Sequence, residues 1–229
     1  MRVSFFAYDS SSGKILSSSS GGVVKWTKNT DFGSADYASK VIVDRFRNVY
    51  VTGYSTGGGT GHDYQTVKYD SSGNFIWSAD YNYPSNNGEE PSDIAVDNSG
   101  NVYVTGTGTG FFGSQSETVK YNSSGIHQWT VRCGDSVFTA SPGAIALDAS
   151  GNIYVGGLIK TYSTDDGSYL LAKFSPNGDS IWKRTYDPSI YPQGLGSGIT
   201  CLKVDGSFIY AAGKSYNTDG LFTLYTSMR

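Results

Sequence analysis

Apolar and polar positions alternate with a period of two in four matching stretches of the chain. Residues 41–53 read VIVDRFRNVYVTG and 94–106 read IAVDNSGNVYVTG. Residues 145–157 read IALDASGNIYVGG, and 202–213 read LKVDGSFIYAAG. Each is a strand, a tight turn opened by Asp, and a second strand. A second unit recurs between them: TVKYDSSGNFIW at 66–77, TVKYNSSGIHQW at 118–129 and AKFSPNGDSIW at 172–182. It is again strand, turn, strand, and it closes on a tryptophan. Trp26, Trp77, Trp129 and Trp182 follow one another at intervals of 51, 52 and 53 residues. No segment sustains a 3.6-residue period with caps, so no helix beyond a turn or two is expected.

Four strands per repeat, A to D, and a period near fifty predict an all-β β-propeller of about four four-stranded blades. The chain reads as a single domain, 1–229, with repeats at about 31–80, 81–131, 132–184 and 185–225. Strand A ends in Asp44, Asp97, Asp148 or Asp205, whose carboxylate can cap the backbone two residues on. Gly100 and Gly151 supply a left-handed position cheaply. Arg47 stands there in the first repeat and the fourth turn is one residue shorter, so these two turns are expected to differ. Strand B reads as buried on both faces, and strand C ends at Tyr69, Tyr121, Phe174 or Tyr225. Counting strands gives five C-like segments, with Val3–Tyr8 the surplus one. The expectation is that residues 22–30, centred on Val23–Lys28, supply the outermost strand beside residues 221–225 and close the ring.

Composition narrows the partners. Formal net charge is −3 with no basic run, so neither nucleic acid nor an anionic membrane surface would meet a positive field. No apolar run reaches the length of a membrane span. The opening residues lack the apolar core and cleavage site of a signal peptide. Cys133 and Cys201 fall at non-equivalent repeat positions, so no disulfide framework is indicated.

The units DxSGNVYVTG and VKYxSSGxxxW resemble the SBBP repeat, a β-propeller repeat of bacterial and archaeal proteins, over nearly all of residues 22–225. The resemblance implies a propeller that is exported or held at the cell surface, and it brings no catalytic residues. Ala7–Leu16 is similar to the tryptophan-docking motif of quinone-binding propellers, but Ser17 stands where the Trp belongs, and no cofactor is expected.

Several motifs invite chemistry and lack its context. Gly53-Tyr54-Ser55-Thr56-Gly57 satisfies GxSxG, yet that motif needs a following helix and an acid–base pair. Gly108-Thr109-Gly110-Phe111-Phe112-Gly113 satisfies GxGxxG without the helix that would hold a pyrophosphate. His62 reads as a loop donor, His127 as a strand-D residue, and Glu89-Glu90 and Asp165-Asp166 as solvated loop faces. No metal is expected from this inventory.

What the repeat leaves free is the B–C and D–A connections, which emerge together opposite the short A–B and C–D turns. There the chain carries Tyr81, Tyr83, Phe111, Tyr162, Asp165, Tyr186, Tyr191 and Tyr216. Tyrosines on a rigid frame give large contact area at low rotamer entropy. The sequence therefore predicts a non-catalytic interaction or scaffold module that binds a protein or a glycan through this long-loop face. A self-assembling structural repeat is the alternative. An enzyme with a site at the channel mouth ranks last, because no nucleophile, base or metal set has a partner.

Overall fold

The computed structural model describes residues 3–6, 26–30, 32, 35–56, 61–82, 88–110, 113–134, 138–161, 167–186, 198–214 and 222–226. Every regular element among them is a strand. An N-terminal pair comprises β1 (Val3–Phe6) and β2 (Thr27–Thr30). Three four-stranded antiparallel meanders follow. The first is β3 (Ala35–Val43), β4 (Val49–Thr56), β5 (His62–Tyr69) and β6 (Phe75–Tyr81). The second is β7 (Glu89–Val96), β8 (Val102–Gly110), β9 (Gly113–Tyr121) and β10 (His127–Cys133). The third is β11 (Phe138–Leu147), β12 (Ile153–Thr161), β13 (Gly167–Phe174) and β14 (Ser180–Tyr186). A three-stranded sheet ends the series: β15 (Gly198–Asp205), β16 (Phe208–Lys214) and β17 (Phe222–Thr226).

Successive sheets stack face to face. The first strand of each packs on the preceding sheet: β7 on β3, β4 and β5, β11 on β7, β8 and β9, and β15 on β11, β12 and β13. The apolar core lies between sheets. Tyr50, Tyr64 and Trp77 meet Ile94, Val102, Val104 and Val119 at the first junction. Ile145, Ile153, Val155, Leu170 and Phe174 build most of the second, and Leu171, Ile199 and Ile209 the third. Strand B is buried on both faces over most of its length in the three four-stranded sheets, as expected, whereas β16 in the last sheet alternates, with Ile209 and Ala211 buried and Phe208 and Tyr210 exposed.

Each A strand carries a bulge, at Ala38/Lys40, Pro91/Asp93, Pro142/Ala144 and Ile199/Cys201. Opposite each bulge stands the glycine that ends the strand-B motif: Gly53, Gly106, Gly157 and Gly213. A Cβ there would strike the backbone carbonyl of Tyr37, Glu90, Ser141 or Gly198, which is why the motif requires glycine. Past its bulge, Asp93 receives Lys40 Nζ at 3.6 Å and the Ile145 amide at 3.0 Å, tying three inner strands together.

The A–B turns hold more than the expected cap. Asp44 accepts the Phe46 and Asn48 amides at 2.8 and 2.9 Å, the Asn48 side chain at 2.8 Å and Tyr50 OH at 3.0 Å. Asp97 and Asp148 repeat the set with Asn101 and Tyr103, and with Asn152 and Tyr154. The first turn was expected to differ and does not. Arg47 adopts φ 66° and donates its amide to Asp44 O at 2.9 Å, as Gly100 and Gly151 do to Asp97 and Asp148. The turn's hydrogen bonds override a residue preference of about 1–2 kcal/mol. Arg47→Gly is therefore expected to stabilise the protein by about 1 kcal/mol, read as a higher urea midpoint at unchanged slope. The fourth turn does differ, being a two-residue link through Gly206 and Ser207.

The C–D turns lock neighbouring sheets. Trp26 Nε1 donates to Ser71 O at 3.3 Å, Trp77 to Ser123 O at 3.1 Å and Trp129 to Pro176 O at 3.2 Å. Each indole lies against the left-handed glycine of that turn: Gly73, Gly125 or Gly178. The tryptophan of one repeat is thus seated on the turn of the next.

The expected closing strand is not formed among the described residues. The strand near Val23–Lys28 runs instead from Thr27 to Thr30 and pairs with β1, Val3 opposite Thr30 and Phe6 opposite Thr27. The described partner of β17 is β16. β1 sits beside β2 as β5 sits beside β6, and β3 packs against it, so residues 3–6 hold a strand-C place. Pairing consecutive strands costs less loop-closure entropy than pairing the two ends of the chain.

Candidate functional site

Antiparallel order puts the B–C and D–A connections at one end of every sheet, where the described side chains form three groups. The first lies between the first and second four-stranded sheets. β5 contributes Tyr64, β6 Tyr81, β7 Glu89, β9 Glu117 and β10 Arg132. Tyr64, Glu89 and Glu117 are fully buried. Arg132 Nε donates to Glu117 Oε1 at 2.7 Å, and its Nη2 donates to Tyr81 OH at 2.9 Å. Gly108 makes the room: a Cβ there would stand 2.5 Å from the Glu117 carboxyl carbon. Burial pushes the Glu117 carboxyl above the usual range, and the Arg132 guanidinium opposes this. Burial, with the Glu117 charge next, holds the Tyr64 phenol protonated.

This has a pH signature. A carboxyl raised in the folded state adds stability as pH falls through that raised value toward the ordinary 4.5. At Asp44 and Asp148 burial acts upward, but hydrogen bonds from Asn48 and Asn152 outweigh it. Both are held below 3.8, and their contribution is lost as pH falls below that value. Relative to Glu117→Gln, the wild type is expected to gain stability between pH 7 and 4.5. Both proteins should weaken together below 3.8. A difference that stays flat from pH 7 to 4.5 in urea titrations contradicts the assignment.

The second group is a row of rings. Tyr37 (β3) stacks on Tyr54 (β4) with centroids 4.8 Å apart at 24°, and Tyr54 stacks on His62 (β5) at 4.3 Å and 17°. His62 Nδ1–H donates to Glu90 Oε1 on β7 at 3.1 Å. Tyr37 is 43% exposed. Tyr37 stands directly opposite Tyr54, so the strand spacing of about 4.8 Å sets that stack, whereas His62 is opposite Thr56 and reaches Tyr54 diagonally on the same face.

The third group surrounds Tyr186, 44% exposed, at the junction of the third sheet with the last. Tyr186, Tyr169, Leu171 and Ile199 line a cavity of about 110 Å³. At the opposite, short-turn end a groove of about 520 Å³ runs past Asp97, Asn101 and Asp148, but those side chains are saturated by the turn bonds above.

Of the residues singled out in the sequence, Tyr81 and Tyr186 occupy equivalent strand-D ends in different junctions. Tyr83, Phe111, Tyr162, Asp165, Tyr191 and Tyr216 lie outside the described residues. Two sequence readings are corrected. His62 begins β5 rather than sitting in a loop. Glu89 is not a solvated loop residue: β7 starts there, and strand alternation turns Glu89 inward and Glu90 outward. Sequence reasoning missed Glu117, Arg132, Tyr37 and Tyr54. The available signal was departure from the repeat: the Glu117 position is Gln65 in the first sheet and Leu170 in the third. Cys133 is buried and Cys201 exposed, both as free thiols.

Residues 26–59 and 85–113 match the SBBP family profile, described as a β-propeller repeat. No curated protein sequence matches the chain. Solved structures of similar fold include a subtype N11 neuraminidase-like protein of A/flat-faced bat/Peru/033/2010 (H18N11), with TM-score 0.49 and 14% identity over 90% of this chain and 62% of that one. The periplasmic gluconolactonase of Pseudomonas aeruginosa gives 0.42 and 10%, over 89% and 74%. An ulvan lyase of polysaccharide lyase family PL25 gives 0.43 and 12%, over 89% and 58%. The chain thus spans less than two thirds of the neuraminidase-like protein and of the lyase.

Proposed function

We propose that this β-propeller of SBBP repeats is a non-catalytic interaction module, secreted or held at the cell surface, that binds a protein or a glycan through its long-loop face. In this reading the chain is one domain of about four blades, with the N-terminal hairpin β1–β2 completing the ring. One observation carries it. The short-turn end repeats a single network of Asp, Asn and Tyr in the three four-stranded sheets, whereas the long-loop end changes between them, with Tyr37, Glu90 and Ser141 at one register position and Tyr81, Cys133 and Tyr186 at another, and exposes rings such as Tyr37 and Tyr186. Side chains that a repeat conserves serve the frame; exposed ones in which its copies differ are free to serve recognition.

The Glu117–Arg132–Tyr81 group is the nearest thing to catalytic machinery, but its carboxylate is 1% exposed and already ion-paired, which favours a structural role. Self-assembly is the second reading, favoured by Val41 and Val43, 58% and 55% exposed on β3. Light scattering separates the two: a mass that grows with concentration supports self-assembly.

Ligands selected from a glycan array and a displayed peptide library on the full chain test the binding face. They are expected to lose at least tenfold in affinity with Tyr37→Ala or Tyr186→Ala, and nothing with Phe46→Ala on the short-turn end. Ligands sensitive only to Phe46 would overturn the reading.

A further inference from the structure

The ring row on the first sheet is not something the repeat needs. At the register positions of Tyr37, Tyr54 and His62 the second sheet carries Glu90, Thr107 and Ser114, and the third carries Ser141, Leu158 and Gly167. Those sheets pack without a ring at any of the three places. The row also runs outward from the inner strand, so it begins at the inner edge of the long-loop end, and Tyr37 is left 43% exposed.

We infer that this row is a platform for a neutral, hydroxyl-rich saccharide, which stacks on Tyr37 and runs along the rings toward Glu90. The inference rests on the long-loop face being the binding face. Three features select the ligand. First, Tyr54 is covered on both sides by Tyr37 and His62, so the free ring face is at the Tyr37 end. A flat face with negative π density suits the polarised C–H groups of a sugar ring. Second, the Glu90 side chain, 60% exposed and accepting one bond from His62, retains acceptor capacity for hydroxyl protons. Two strand spacings, roughly 10 Å, separate the ends of the row, so the ligand has more than one ring.

Third, charge excludes the alternatives. The nearby carboxylates are Asp36, Asp63, Glu89, Glu90 and Glu117, whereas Lys40 and Arg132 are committed to Asp93 and Glu117 at 3.6 and 2.7 Å. An acidic sugar would meet a negative field. A small organic cation needs rings converging on it from several sides, and a parallel row cannot enclose one.

Affinity electrophoresis of the full chain through gels containing dextran, mannan, laminarin or hydroxyethylcellulose tests this, with alginate and hyaluronan as acidic counterparts. Retardation by at least one neutral polymer is expected. Tyr37→Ala should weaken it tenfold or more and Glu90→Gln at least threefold, with unchanged melting curves, while Phe46→Ala should match the wild type. Retardation by acidic polymers alone, by none, or undiminished in Tyr37→Ala overturns the inference. So does tetramethylammonium binding that depends on Tyr37. Sugar binding lost with Tyr186→Ala but kept in Tyr37→Ala removes this platform and leaves the long-loop reading standing, as does a peptide ligand that maps to Tyr37 without any sugar binding. Ligands that depend only on Phe46 remove both.

Discussion

Trp77→Ala is expected to destabilise the protein by about 3–5 kcal/mol, the cost of emptying a large buried aromatic site. Trp77 is 7% exposed, and its ring lies 6.3 Å from Tyr50 and 6.4 Å from Tyr121, bridging the first and second four-stranded sheets. Its Nε1 proton satisfies the Ser123 carbonyl in the next C–D turn, so the loss includes a buried hydrogen bond as well as packing. Gly125→Ala attacks the same contact from the other side. The residue has φ 80°, and an added Cβ would stand 2.6 Å from the indole. Backbone strain alone costs about 1–2 kcal/mol there. With the indole gone the Cβ has room, so the two substitutions should combine to less than their sum. Urea denaturation of the two single variants and the double variant measures this coupling. Additive losses would mean that the tryptophan is not seated on the turn glycine.

That seat was half legible in the sequence. The tryptophan interval and the SSG or PNG turns mark both partners, because each is set by local chemistry that recurs. What links them is a contact between successive repeats, about 46 residues apart, and no local pattern states which turn receives which indole. The same limit explains the N-terminal hairpin. The sequence marks Val3–Tyr8 and Val23–Lys28 as strands, yet strand chemistry is nearly the same for any antiparallel neighbour, so neither the exact bounds nor the pairing of β2 with β1 rather than β17 could be read. Arg47 shows the converse. Its side chain argued for a different turn, while Asp44 and Asn48, the residues that hold the turn, were already as in the other repeats.

The candidate site was legible as a face and not as residues. Tyr81 and Tyr186 could be read because each lies four residues past its strand-D tryptophan, a position that Cys133 fills in the second sheet. The ring row and the buried acids required the register: Tyr37 and Tyr54 are 17 positions apart, and only the β3–β4 hairpin, with its bulge at Ala38, sets them opposite each other. Shifting the start of β7 to Glu89 is likewise what sends one of two adjacent glutamates into the core and the other to the surface.

Arg132→Met should cost about 3 kcal/mol at pH 7, because it strips the cationic partner from a carboxylate that stays buried. The lower end of the usual range applies, since the guanidinium is 36% exposed and Tyr81 can still donate to Glu117. Removing both charges should cost far less. Leu170, fully buried, fills the Glu117 position in the third sheet, so the frame accepts an apolar side chain there. Glu117→Leu combined with Arg132→Met is therefore expected within about 1 kcal/mol of the wild type. Acid provides the internal control. As pH falls toward 4.5 the raised Glu117 carboxyl takes up its proton, and the penalty of Arg132→Met should shrink with it. A penalty independent of pH, or a double variant as unstable as the single one, would show that Arg132 supports the sheet junction by packing against its neighbours and not by neutralising Glu117.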